Sequence, residues 1–79
     1  MKLSEQRNLG QTKTKAFSLS NQGFVHHVIT PIGQARPKMT GVEYRATPID
    51  SERVTLYSFS SPEDCLAFIN AYGGEALRP

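Results

Sequence analysis

The chain has 79 residues, of which 38% are apolar and 20% charged, and a net charge of +2. That length supports one core and excludes a second, which would need roughly 50 residues of its own; it also argues against a deep substrate cavity. Cys65 is the only cysteine, so no internal bridge can form, a stapled secreted scaffold is excluded, and a reducing cytoplasm is the expected setting.

The net charge hides an asymmetry. Residues 1–40 hold six Lys or Arg against one acid, and residues 41–79 hold three against six. No stretch has the apolar run of a signal peptide or a membrane span, so no membrane association is expected.

Residues 1–12 are polar and read as loose, with a short helical turn ending at Gly10. Ala16–Ser20 and Phe24–Thr30 read as two strands around Asn21-Gln22-Gly23, a turn with glycine where a positive φ is usual. The later strand is apolar on both faces apart from its histidines, which places it inside the sheet. Lys13 and Lys15 share the parity of Phe17 and Leu19, so regular pairing is expected only from near residue 15, or with a bulge. Residues 31–41, with two prolines and two glycines, predict a long mobile loop.

Val42–Thr47 and Arg53–Phe59 are rich in β-branched and aromatic residues and predict a second hairpin across residues 48–52. Residues 62–72 predict a helix. Serines precede it, Pro62 suits its first position, Glu63 and Asp64 complement its dipole, and Gly73 ends it. Cys65, Phe68, Ile69 and Tyr72 fall on one face of that helix, with Leu66 at its edge. The expected architecture is therefore one α+β domain spanning 1–79: a four-stranded antiparallel meander with one C-terminal helix packed on one face.

His26 and His27 are adjacent on a strand and point to opposite faces, so they cannot easily share a metal ion; one core and one surface histidine is the expectation. Cys65 lies in register with the apolar stripe, which favours a buried thiol over a nucleophile. The chain has no nucleophile elbow, phosphate loop or dinucleotide fingerprint. The acids Asp50, Glu52, Glu63 and Asp64 fall in turns or at a helix start. No enzymatic activity, metal or cofactor is expected.

What remains is a surface. With Val54, Leu56, Val42 and Ala46 facing the helix, Tyr57 and Phe59 lie on an open sheet face beside Arg45, near a loop carrying Arg36 and Lys38. These five residues, Arg36, Lys38, Arg45, Tyr57 and Phe59, are the candidate contacts of a protein-binding module that acts as an adaptor or inhibitor of a larger protein or complex. The reversed assignment puts Tyr57 and Phe59 under the helix instead. In size and in lacking motifs the chain resembles the small proteins that phages and mobile elements make against host machinery, anti-CRISPR proteins among them; the resemblance is one of build.

Two other readings compete. The order strand, turn, strand, helix resembles that of the arm-binding domains of tyrosine recombinases, which implies a nucleic-acid-binding protein using a basic and aromatic sheet face. Lys13, Lys15, Arg36, Lys38, Arg45 and Arg53 would then meet phosphates. Opposite charge on the two halves, together with open strand edges, also allows a homodimer.

Overall fold

A computed structural model describes residues 9–33 and 39–77. In chain order the elements are helix α1 (Gly10–Ser20), strands β1 (His26–Pro31) and β2 (Tyr44–Ile49), a 3-10 turn (Asp50–Glu52), strand β3 (Val54–Phe59), helix α2 (Pro62–Tyr72) and strand β4 (Glu75–Leu77). The four strands form one antiparallel sheet in the order β2-β3-β1-β4. The α+β class, an antiparallel sheet of four strands and the C-terminal helix on it are as the sequence predicts, although only three of those strands are the expected ones. The connectivity is not a simple meander, because β3 inserts between β1 and β2.

The main departure is at the start of the chain. Residues 16–20, expected as a strand, belong to α1, and Leu9, expected in a loose segment, is only 2% exposed. Leu9, Thr12, Ala16 and Leu19 recur at three- and four-residue spacing and form the buried side of this helix. Gly23 does have positive φ, at 103°, but it ends a helix instead of turning a hairpin. The Phe24 N–H donates to the Leu19 carbonyl (3.0 Å) and the Gly23 N–H to that of Ser20 (3.1 Å). This is the paired closure of a Schellman motif, completed by contact between Leu19 and Phe24 in the same apolar cluster.

Each face of the sheet consequently carries a helix. On one, Leu9, Ala16, Leu19 and Phe24 pack with Ile29, Val54 and Leu56 beneath α1. On the other, Val28, Tyr57 and Phe59 pack with Phe68 of α2, and Cys65, Ile69, Met39 and Val42 close the margins. All six residues of β3 are buried, as a central strand between two helical layers requires.

α2 has the predicted bounds, with Pro62 in its first turn beside Glu63 and Asp64. Ser61 is its N-cap by position, although its side chain makes no capping hydrogen bond. The Gly73 N–H closes the far end on the Ile69 carbonyl at 2.8 Å. Gly73 and Gly74 then carry the chain at positive φ (81° and 106°) back to the sheet, where β4 pairs with β1, His27 opposite Leu77. This three-residue strand has no sequence counterpart among the expected elements. Of the expected loop 31–41, residues 34–38 lie outside the described residues, as do 1–8 of the expected loose segment.

Candidate functional site

The five candidate contacts do not form one surface. Tyr57 and Phe59 are 3% and 0% exposed, so the open aromatic face is corrected to a core. Their rings meet Phe68 with centroids 4.8 and 5.5 Å apart, and Tyr44 stacks on Phe59 at 6.1 Å. The physical reason is volume: α2 needs large apolar partners, and the opposite parity, Val54 and Leu56, is required beneath α1. Arg45 is exposed, but on the α1 side, where its guanidinium lies 4.6 Å from the centre of the Phe24 ring. Arg36 and Lys38 fall outside the described residues. With α1 over the second face, the open sheet surface that nucleic-acid reading needed is also absent among the described residues.

His26 and His27 divide as expected, the first half-buried and the second buried. His27 Nδ1 lies 2.8 Å from Ser58 Oγ and Nε2 lies 2.8 Å from Ser20 Oγ, while the Ser20 hydroxyl donates to the Ala16 carbonyl at 2.9 Å. A neutral ring with its proton on Nε2 satisfies every group: Ser58 donates to Nδ1, Nε2–H donates to Ser20, and Ser20 donates to the helix. Burial, reinforced by the neighbouring His26, lowers the His27 pKa and favours that neutral form.

A serine beside a histidine invites comparison with acyl transfer, and the geometry argues against it. Nε2 in this tautomer already carries a proton and cannot take one from Ser20. The N–H groups of Asn21, Gln22, Gly23 and Phe24 all donate within the turn, so none of them is left to hold an oxyanion. The chain Ser58–His27–Ser20 ties α1 to the sheet.

The other end of α1 is tied by Glu52. Its carboxylate accepts from the N–H groups of Gln11 (2.7 Å) and Thr12 (2.9 Å) and from the Thr12 hydroxyl (2.6 Å), capping the helix from forty residues away. Burial pushes its pKa up, but those three bonds outweigh it and hold the carboxyl below its ordinary value. Cys65 is half-buried, and burial raises its thiol pKa, the opposite of what a nucleophile needs. Among the described residues no group of three or more His, Cys, Asp or Glu could hold a metal, and no helix is long and apolar enough to cross a membrane.

A candidate surface that sequence reasoning missed lies between α1 and the β4 side of the sheet. Because α1 sits over β3, the same face is left partly open above β1 and β4. A groove of about 470 Å³ results, walled by Lys13, Ala16, Phe17 and Ser20 of α1, by Val25 and His27, and by Leu77. Phe17 is 71% and Val25 52% exposed. Single exposed apolar residues are ordinary, but two of them flanking one groove together with half-buried Leu77 make a patch. A second, shallower depression lies over Thr14, Ser18 and Ile49, and Glu52 at its end is committed to the cap. Compared with known proteins, the chain matches no family model, no curated protein and no solved structure.

Proposed function

We propose that this chain is a small protein-binding module without enzymatic activity, an adaptor or inhibitor that docks on a larger protein in the cytoplasm. One observation carries the reading: with a helix on each sheet face, Phe17 and Val25 still stand exposed on either side of an apolar groove. Burying such side chains against a partner supplies affinity that leaving them in water does not. Arg45 would contribute charge at the periphery, whereas Tyr57 and Phe59 support the surface from the core.

The test is affinity purification from the native cell with the intact chain and with the Phe17→Ala/Val25→Ser double variant. Both positions are exposed, so the variant keeps its fold. A protein captured stoichiometrically by the first and lost by the second is the expected result; no stoichiometric protein at all refutes the reading. Nucleic acid is the second reading, favoured by Lys13 and Lys15 as the only charged side chains of α1. A gel shift that stays absent at low salt removes it.

A further inference from the structure

We infer that the groove also receives the outer side of α2 from a second copy of this chain, so that copies join head to tail and hide the docking surface from other proteins. The regulatory meaning rests on the protein-binding reading; the association itself does not. Three observations converge.

The first is a pair of matching apolar surfaces. Glu63, Leu66, Ala67 and Asn70 recur at three- and four-residue spacing and make up the outer side of α2, all of them exposed. Leu66 is the large apolar side chain among them, at 59% exposed. A leucine standing out from a helix is a knob, and the opening between Phe17 and Val25 is the hollow that suits it. Joining the two takes the exposed apolar surface of both out of water.

The second is charge. α1 contains Lys13 and Lys15 and no acid, whereas α2 contains Glu63 and Asp64 and no base. The two helices pack on opposite faces of the sheet, so these charges face each other only between molecules. Glu75 shares the groove's face of the sheet with Leu77, but it is half-buried and already engaged within the chain, while Lys13 and Glu63 are exposed.

The third is register. Lys13 lies four residues before Phe17, and Glu63 lies three before Leu66. At about 1.5 Å per residue, both charges stand about one turn ahead of their apolar neighbours. With the two helices running the same way, seating Leu66 beside Phe17 therefore brings Glu63 alongside Lys13. Because groove and knob are different surfaces, each copy keeps one of them open, and assembly does not stop at two.

The experiment is sedimentation equilibrium on the full chain up to about 1 mM, where weak contacts are populated. The mass should rise past that of a dimer, and added salt should weaken the contact about two- to fivefold. Phe17→Ala and Leu66→Ser, both at exposed positions, should each weaken it about tenfold, with circular dichroism unchanged. Mixed together they should form a one-to-one dimer that grows no further, since one variant keeps only its α2 side and the other only its groove. Lys13→Glu and Glu63→Lys should each weaken assembly, and both in one chain should restore it. The inference is overturned by a chain that stays monomeric, by growth that stops at a dimer, by a mixture that fails to pair, or by a double charge swap no better than either single one. A native partner captured in the previous test by a chain that stays monomeric leaves the docking module standing and removes only this masking. Assembly without any captured partner does the reverse.

Discussion

Gly74→Ala is the sharpest single test of how the chain returns from α2 to the sheet. Gly74 has φ of +106°, and a Cβ built there would lie 2.7 Å from Val28 Cγ1, 3.1 Å from Thr30 Cγ2 and 3.2 Å from the Ile29 carbonyl oxygen. Val28 is wholly buried and Thr30 nearly so, so neither can swing away freely. Two costs therefore add: about 1–3 kcal/mol for an unfavourable backbone region and about 1–3 kcal/mol for overpacking. Gly73→Ala separates them, because Gly73 also has positive φ, at +81°, yet a Cβ there meets nothing within 4 Å. Urea unfolding followed by circular dichroism should place Gly74→Ala about 1–3 kcal/mol below Gly73→Ala, with melting lower by roughly 4–8 °C for each kcal/mol. Equal losses for the two variants would refute the close approach of this glycine to β1.

Tyr57→Ala should cost about 3–5 kcal/mol and bring the domain close to unfolding, seen as lost ellipticity; an intact fold would return Tyr57 to the surface. For His27 the folded pKa is lowered, so the unfolded chain takes up protons first as pH falls. Stability should be full above the ordinary histidine value, decline below it and level off once the folded ring is protonated. An imidazole that titrates in NMR at or above its ordinary value contradicts this. Glu52→Ala should remove about 1 kcal/mol through loss of the α1 cap, and hydrogen exchange at Gln11 and Thr12 should rise selectively. Since the Glu52 pKa is also lowered, its contribution should be present above the ordinary carboxylate range and fade as pH falls through the folded value. Uniform exchange across α1 would speak against that cap. Cys65, half-buried with a raised thiol pKa, should react with a disulfide reagent at neutral pH more slowly than free cysteine, and equal rates would show an open thiol.

The elements legible in the sequence were those whose signals are local. α2 has its proline, its acids and its glycine within thirteen residues, and its predicted bounds agree with the structure. The strands near 24–30, 42–47 and 53–59 were legible from composition and alternation, and β1 does lie inside the sheet. α1 was not, because its start is capped by Glu52 and leaves no mark in its own first turn. Its periodicity also depends on counting Thr12 as a core residue, which it is, at 0% exposed. One local sign did exist: Lys13 and Lys15 sit on the apolar parity of a strand, a conflict that disappears at helical spacing. The choice of sheet face failed for a related reason, since a strand buried on both sides has no outward parity to find. The groove was illegible because Phe17, Val25 and Leu77 are joined only by the way α1 lies over the sheet.

The long-range cap has a consequence for how the molecule is born. Residues 10–20 leave the ribosome well before residue 52, and an isolated eleven-residue helix is too short to persist in water. α1 must therefore await its distant carboxylate, becoming a late arrival that closes over a hairpin already made. A nascent chain halted between them would show its apolar stripe to any chaperone nearby, and release from that halt, more than helix propensity, would time maturation.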